Sequence, residues 1–316
     1  MPEGDTIFRT ARALGRALVA RPVTGFRSTY PMLTRFDDDT PLAGQTVERV
    51  ESRGKWLLIH FSGGGTLATH LLMNGSWHIY RPGERWQQPR ANMRIVLENS
   101  EYIAVGFRVP VAKMLWSRDV ERQLRIPPQT IDVLSEEFEA AEVVRRIAGR
   151  GAEEIADVLL HQDVIAGVGN EFKSEICFMA AINPFARVAS LAPQTLAGVV
   201  DLSLRLLRAN VLEDSGDAVV TYGGLHRRTT NSSDPRERVW VYGRQGEPCR
   251  RCAAPIECRK QGPDARVTFW CPQCQPMPGS QCGESGFLHR SQEGQEADSS
   301  LTTPKLKYVW GPVRSE

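Results

Sequence analysis

The sequence CRRC at residues 249–252 is followed, after eighteen residues, by CPQC at residues 271–274. Two Cys-x2-Cys pairs at this separation are typical of a four-thiolate zinc ribbon or finger. Six of the seven cysteines follow residue 248, and in a reducing compartment such clustering favours metal over disulfides. We therefore expect one structural Zn²⁺, with a hairpin between the two pairs. The expected ligands are Cys249, Cys252, Cys271 and Cys274.

The residues between the pairs are basic on balance, with Arg266 near the turn of the expected hairpin. A zinc-stiffened hairpin that carries arginines suits contact with DNA. Other zinc ribbons bind protein or only stiffen a fold, so this stretch alone leaves both possibilities open.

Upstream of the finger the apolar pattern is helical, and it predicts helices over 136–148, 153–160 and 196–212. A glycine-bearing turn, Ala166-Gly167-Val168-Gly169, lies between the last two and precedes another helix. Asn170 is a good N-cap residue, and exposed N–H groups at a helix start bind phosphate. Asn170 and Lys173 would then face the same anion. The alternative is a tight turn with an ordinary cap.

Residues 23–118 contain short apolar or alternating runs separated by turn signals. This pattern predicts a β-sandwich or barrel, preceded by an amphipathic helix over residues 3–19. Lys55 follows the turn before the run 56–61, where it either binds an anion or is a solvated strand-end lysine. The turn with Leu72, Met73 and Asn74 either inserts into a base stack or caps a core.

The chain begins Met1-Pro2-Glu3-Gly4. If Met1 is removed, Pro2 becomes a secondary amine with a pKa of about 7.7–8.0, and it can attack carbon and form an iminium. Glu3 beside it could move protons. Pro followed by acidic residues is also a helix-start signal, so the N-terminus alone does not establish catalysis.

The chain has 316 residues and a net charge of +2, which alone does not argue for nucleic acid. It has no apolar signal segment and no run long enough to span a membrane, so we expect a cytoplasmic, nucleoid-associated protein. Residues 213–240 are predicted to be a long mobile loop, and 277–316 a disordered tail.

Six ordered motifs carry a specific resemblance over residues 2–275. They are Pro2-Glu3-Gly4, Arg53-Gly54-Lys55, His70 to Trp77, Ala166 to Glu175, Val241 to Arg244, and Arg266 to Gln275. Together they resemble the formamidopyrimidine-DNA glycosylase / endonuclease VIII family of base-excision repair enzymes. The resemblance implies an α+β multidomain fold: an N-terminal β-sandwich with an N-terminal helix, a helical helix-two-turn-helix domain and a C-terminal zinc finger. The expected segments are 1–120, a linker 121–135, 136–243, 244–276 and the tail.

By this resemblance, Pro2 attacks C1′ of the damaged nucleoside, and β,δ-elimination then cuts the strand. Glu3 is the acid/base residue, and Lys55 contacts phosphate and assists catalysis. Asn170 and Arg266 are phosphate clamps, while Lys173 and Tyr242 are backbone contacts. Leu72, Met73 and Asn74 fill the space left by the flipped base. The implied partner is double-stranded DNA with damaged bases or abasic sites, bound by a monomer.

Pro-Glu-Gly favours the endonuclease VIII branch and hence oxidised pyrimidines, whereas the Met73 turn and the lead-in to the finger resemble the formamidopyrimidine branch. Asp5-Thr6 stands where much of the family has Pro-Glu, which puts a second carboxylate in doubt. Three alternatives remain: the same chemistry on oxidised purines, a non-catalytic binder of damaged DNA, and a zinc-ribbon transcription or RNA-binding factor. Intact Pro2, Glu3 and Lys55 argue against the second, and the helical domain argues against the third.

Overall fold

The computed structural model describes residues 2–212, 229–230 and 234–278. Most of the predicted loop 213–240 and nearly all of the predicted tail 277–316 lie outside the described residues. Within the described ranges, every helix is too short or too polar to traverse a lipid bilayer.

The helices are α1 (Gly4–Leu18), α2 (Pro31–Asp39), α3 (Val120–Leu124), α4 (Ala140–Ala148), α5 (Ile155–Val158), α6 (Asn170–Met179) and α7 (Pro193–Leu212). The strands are β1 (Gly25–Ser28), β2 (Val47–Arg53), β3 (Trp56–Phe61), β4 (Gly65–His70), β5 (Ser76–Tyr80), β6 (Met93–Glu98), β7 (Ile103–Phe107), β8 (Val111–Trp116), β9 (Glu257–Gln261) and β10 (Arg266–Trp270).

The N-terminal part is the predicted β-sandwich. Its two antiparallel sheets have the strand orders β1-β6-β7-β5 and β2-β3-β4-β8. On β3, Leu57, Ile59 and Phe61 enter the core between the sheets, whereas Leu58 packs beneath α3 on the outer face. Both faces of the strand are therefore covered, which explains why its sequence is apolar throughout rather than alternating.

Helix α1 confirms the predicted N-terminal helix. Its residues Ile7, Leu14 and Leu18 are buried in the sandwich core. The helix also contacts α7 of the helical region. Helix α1 thus joins the sandwich to the helical region, and it carries the chain's N-terminus to their junction.

The helical region has its own apolar core, drawn from residues 131–207. Helix α4 begins four residues later than predicted, because the N–H of Glu137 bonds to Ser135 Oγ and that of Glu139 to the carbonyl of Thr130. Helix α5 ends early, because Leu160 and His161 make i→i+3 bonds that tighten the chain.

Strands β9 and β10 form the expected hairpin between the cysteine pairs. The finger has its own small apolar cluster, in which Ile256 and Val241 pack against Phe178 of α6. This cluster packs the finger against the helical region.

Candidate active site

Glu3 is buried where the N-terminus meets the helical region. Its side chain is 0 % exposed, and its carboxylate accepts hydrogen bonds from the backbone N–H of Glu171 at 2.8 Å and of Phe172 at 3.4 Å. The N–H of Gly4 donates to the carbonyl of Gly167 at 2.8 Å. A carboxylate at a helix N-terminus is stabilised by the helix dipole. Glu3 is therefore fixed by the first turn of α6.

The contact between Glu3 and α6 corrects the prediction for the glycine turn, in which Asn170 caps the helix and the N–H groups at the helix start bind phosphate. The N-cap of α6 is Gly169, and Asn170 is the first helical residue. Two N–H groups of the first turn are occupied by Glu3 rather than left open to a phosphate. Gly169 permits this arrangement, because a Cβ atom there would lie 2.3 Å from Cδ of Glu3.

Pro2 is half-buried immediately before this anchor. Asp5, on the first turn of α1, is buried; its carboxylate accepts from Thr6 Oγ1 at 3.3 Å and lies 3.7 Å from the Arg9 guanidinium. A second carboxylate therefore lies close to the N-terminus in the chain, although Thr6 offers none.

Lys55 lies on the turn between β2 and β3, which docks on the helical region. The N–H of Gly54 donates to Asp132 Oδ2 at 2.6 Å, and Gly54 adopts a positive φ of 58°, which favours glycine. Asp132 also accepts from the N–H of Leu134, and burial raises its pKa. Sequence reasoning missed Asp132, because nothing local marks an aspartate that bonds a turn 78 residues away.

Lys55 also lies near His70, which ends β4. Burial, and then the Lys55 charge, lower the pKa of His70. The Nδ1 atom of His70 accepts from the N–H of Leu72 at 3.2 Å, which requires that nitrogen to be unprotonated. The Lys55 turn and the Leu72 turn are therefore neighbours.

Leu72 and Met73 are 46 % and 59 % exposed, whereas Leu71 is buried. With Asn74 they line a cavity of about 470 Å³ that is also lined by Arg108. Leu72 and Arg108 have positive φ values of 45° and 48°. Strained backbone of this kind concentrates at functional sites. Arg108 is exposed, and sequence reasoning missed it.

Asn170 and Arg266 come together although 96 positions separate them in the numbering. Asn170 Nδ2 donates to the carbonyl of Val267 at 2.9 Å, beside Arg266 at the start of β10. The Oδ1 atom of Asn170 is buried and has no hydrogen-bond partner within residues 2–212, 229–230 and 234–278. The Asn170 side chain is therefore bonded to the finger strand that carries Arg266.

Lys173 is not placed as the sequence analysis expected. It is 0 % exposed, and its Nζ donates to Thr268 Oγ1 of the finger at 2.7 Å. Burial lowers the pKa of Lys173 to about 8. The Lys173 ammonium therefore faces the finger instead of the surface, contrary to the prediction that it contacts the DNA backbone.

Tyr242 is half-buried, and its ring packs edge-on against Phe269 of β10. Its N–H donates to Glu175, which is 0 % exposed. Glu175 also accepts from the N–H groups of Trp240 and Val241 and from the hydroxyl of Thr229. Glu175 thus fixes the segment that leads into the finger, a role that sequence reasoning missed.

The four predicted zinc ligands converge. Their sulfur atoms all lie within 4.8 Å of one another, with Cys249–Cys274 at 3.9 Å and Cys252–Cys271 at 3.4 Å. Tetrahedral zinc with Zn–S bonds of about 2.3 Å requires sulfur separations of roughly 3.8 Å. The donor set fits one structural zinc ion, which confirms the prediction; Cys258 is not part of the cluster.

Three family models match the chain in order. They are the formamidopyrimidine-DNA glycosylase N-terminal domain over residues 1–109, the formamidopyrimidine-DNA glycosylase H2TH domain over 130–220, and the zinc finger found in FPG and IleRS over 246–276.

Curated relatives match over nearly their whole length. The chain is 35 % identical to the probable endonuclease 8 2 of Streptomyces coelicolor, covering 90 % of this chain and 98 % of that protein. It is 34 % identical to the DNA-(apurinic or apyrimidinic site) lyase Nei2 of Mycolicibacterium smegmatis, covering 87 % and 99 %.

A solved structure, the Lactococcus lactis formamidopyrimidine-DNA glycosylase bound to DNA containing an abasic site, shares the fold. Its TM-score is 0.70 at 22 % identity, over 87 % of this chain and 100 % of that one. Sequence, fold and zinc cluster therefore agree. The chain belongs to the formamidopyrimidine-DNA glycosylase / endonuclease VIII family of DNA-repair glycosylases and AP lyases, on its endonuclease VIII-like branch.

Proposed function

We propose that this chain is a bifunctional DNA glycosylase/AP lyase that removes oxidised pyrimidines through an N-terminal proline Schiff base. The observation that carries the proposal is the docking of Glu3 on the first turn of α6, one residue after Pro2. This anchor fixes a carboxyl group beside a secondary amine that is partly unprotonated at neutral pH. Its partner is double-stranded DNA that contains a damaged base or an abasic site.

The Pro2 nitrogen attacks C1′ of the damaged nucleoside, and the bond from C1′ to the base breaks. Glu3 protonates the ring oxygen, which opens the sugar and leaves an iminium between Pro2 and C1′. Loss of a proton from C2′ then expels the 3′-phosphate, and a second elimination expels the 5′-phosphate. Water hydrolyses the remaining iminium and frees Pro2.

The neighbouring turns supply the binding surface. We assign Lys55, whose turn is tied to Asp132 through Gly54, to a phosphate of the lesion strand. Asn170 and Arg266 act as a paired phosphate clamp, with Tyr242 nearby at the base of the finger. Each phosphate contact adds sequence-independent affinity that weakens with salt.

The exposed turn Leu72-Met73-Asn74 enters the duplex and fills the space of the extruded nucleotide. Arg108, which lines the same cavity, can donate to the unpaired base on the opposite strand. We further propose that the chain works as a monomer in the cytoplasm, associated with the nucleoid.

Borohydride trapping on a duplex with one abasic site tests the mechanism. We expect a covalent adduct with the native chain and none with a chain that retains Met1, because the Pro2 nitrogen is then an amide. Pro2→Gly leaves a primary amine at the same place and should trap at a reduced rate. Both variants should still bind a duplex with a reduced, uncleavable abasic site. Trapping at the native rate in the chain that retains Met1 would assign the nucleophile to a lysine instead.

A panel of lesion duplexes tests the substrate class. We expect excision of thymine glycol and 5-hydroxypyrimidines at least tenfold faster than excision of 8-oxoguanine and formamidopyrimidines under single-turnover conditions, a difference of about 1.4 kcal/mol in barrier. The reverse order would assign the chain to oxidised purines. Binding of every duplex without excision or trapping would favour the non-catalytic reading.

A further inference from the structure

Lys173 is a buried basic group that the proposed mechanism does not use. It lies on α6, one and two residues after the N–H groups that hold Glu3, and it has no exposed surface. Burying a lysine is costly unless its charge is compensated. The groups around Lys173 must therefore compensate its charge, and they indicate its role.

A chain of hydrogen bonds runs from Lys173 through the finger. Lys173 Nζ donates to Thr268 Oγ1 at 2.7 Å, and Thr268 donates to Gln261 Oε1 at 2.6 Å. Gln261 Nε2 then donates to Glu154 Oε2 at 2.7 Å. Every donor points the same way, from an ammonium to a carboxylate, so the bonds polarise one another. The chain crosses both strands of the hairpin.

The same lysine lies among the charges of the site. Asp157 of α5 and Glu3 favour its protonated form, whereas Arg266 of β10 disfavours it. On its own helix the Cys177 thiol has its pKa raised to about 12 by burial, so it stays neutral and adds no counter-charge at physiological pH. By position, Lys173 lies on the helix whose first N–H groups hold Glu3, and it bonds to Thr268, two residues from Arg266 on β10.

We propose that Lys173 is a positioning residue that couples the phosphate clamp at Arg266 to the acid/base residue Glu3. Through Thr268 it sets where β10 lies on α6, and hence where Arg266 meets the DNA. The charge of Lys173 also couples it to the clamp. A phosphate bound to Arg266 neutralises the repulsion between the Arg266 guanidinium and the Lys173 ammonium. This inference rests on the proposed function, because it needs Arg266 to bind phosphate and Glu3 to act in the reaction.

The test compares Lys173→Met and Thr268→Val with Thr268→Ser, which keeps the hydroxyl. We expect Lys173→Met and Thr268→Val to lower the single-turnover cleavage rate on an abasic duplex by about tenfold to a hundredfold, since small misplacement of catalytic groups costs this much. Thr268→Ser should stay within about twofold of the native chain. Each variant should keep one zinc per chain.

Two further readouts separate positioning from mere structural support. We measure the slope of log binding constant against log salt concentration for an uncleavable abasic analogue. In Lys173→Met and Thr268→Val this slope should fall by about one, the equivalent of one phosphate contact, because Arg266 is no longer aligned. At pH 7 the Tm of Lys173→Met should equal or exceed that of the native chain, because methionine removes a buried charge. A purely structural lysine would give a lower Tm and an unchanged salt slope.

The pH dependence has a definite sign. The pKa of Lys173 falls from 10.5 to about 8 on folding, so between these values the unfolded chain binds more protons and stability rises with pH. The Tm of the native chain relative to Lys173→Met should therefore increase from pH 8 to pH 10. A constant difference would contradict the burial of a titrating lysine.

Folded, zinc-loaded Lys173→Met and Thr268→Val with native rates and native salt slopes would overturn the inference. If Lys173→Met does not fold, Thr268→Val, which keeps the ammonium, decides the question alone. The native chain and Pro2→Gly are measured alongside. If the native chain fails to trap an abasic duplex, the proposed function fails. If the native chain traps normally and Lys173→Met and Thr268→Val have native rates and salt slopes, only the inference about Lys173 fails.

Discussion

Gly169→Ala is expected to lower abasic-site trapping and strand cleavage by at least about a hundredfold, because misplaced catalytic groups cost this much. A Cβ atom at residue 169 would lie 2.3 Å from Cδ and 2.7 Å from Oε1 of Glu3. The backbone there has φ −131°, which alanine tolerates, so the whole effect is steric. The added methyl must push the carboxylate off the N–H groups of Glu171 and Phe172.

Stability should fall as well. Leaving a buried carboxylate without its donors costs roughly 1–3 kcal/mol or more. The matched control is Gly198→Ala on α7, where an added Cβ meets no atom within 4 Å. That variant should keep native activity and gain about 0.5–1 kcal/mol, because alanine favours a helix interior over glycine. Single-turnover trapping and thermal unfolding measure both effects.

The double variant Glu3→Ala/Gly169→Ala separates the clash from the chemistry. Removing the carboxylate removes the overlap, so the double variant should recover most of the stability that Gly169→Ala loses. It should recover no activity. Native cleavage rates in the single Gly169→Ala variant would show that Glu3 does not rest on α6 in the working enzyme.

Cys252→Ser is expected to abolish stoichiometric zinc binding and to lower the affinity for an abasic duplex by at least about tenfold, the loss of one or more phosphate contacts. Structural zinc in small domains contributes apparent binding free energies of about 10–16 kcal/mol, far more than a short hairpin could replace. Without the metal, the two cysteine pairs that flank β9 and β10 are no longer joined, and the hairpin is not held together. The carbonyl of Val267 then no longer accepts from Asn170, and Arg266 beside it is no longer held in place.

Cys258→Ser is the control, because Cys258 lies on β9 outside the four-sulfur cluster. It should retain one zinc per chain and native affinity. Zinc content by metal analysis and binding by fluorescence anisotropy decide between the two variants. Loss of zinc in Cys258→Ser, with retention in Cys252→Ser, would contradict the ligand assignment.

Local patterns predicted the parts of this fold that depend on nearby residues. The cysteine spacing gave the finger, the short alternating runs gave most strands of the sandwich, and the period of Ile7, Leu14 and Leu18 gave α1. The edge strand β8 and the short helix α2 were not predicted. Strand β8 lacks a clear alternation, and both elements are stabilised mainly by contacts with distant parts of the sandwich.

The candidate site divides in the same way. Pro2, Glu3 and Lys55 could be named from motifs, because the resemblance assigns roles to positions. Asp132 and Glu175 could not, since their importance lies in bonds to backbone groups 78 and 65 to 67 positions away. Lys173 was assigned to DNA because, with Asn170, it was expected to face an anion at the helix start.

The sequence by itself therefore determined the family and the zinc ligands, and it named the residues of the chemistry that we propose for the N-terminus. Only the tertiary structure decided that the first turn of α6 holds Glu3 instead of a phosphate, and that Lys173 faces the finger instead of DNA. Both outcomes follow from packing: Gly169 leaves space that the Glu3 carboxylate fills, and the hairpin packs against α6 at Lys173, where Thr268 accepts from its ammonium.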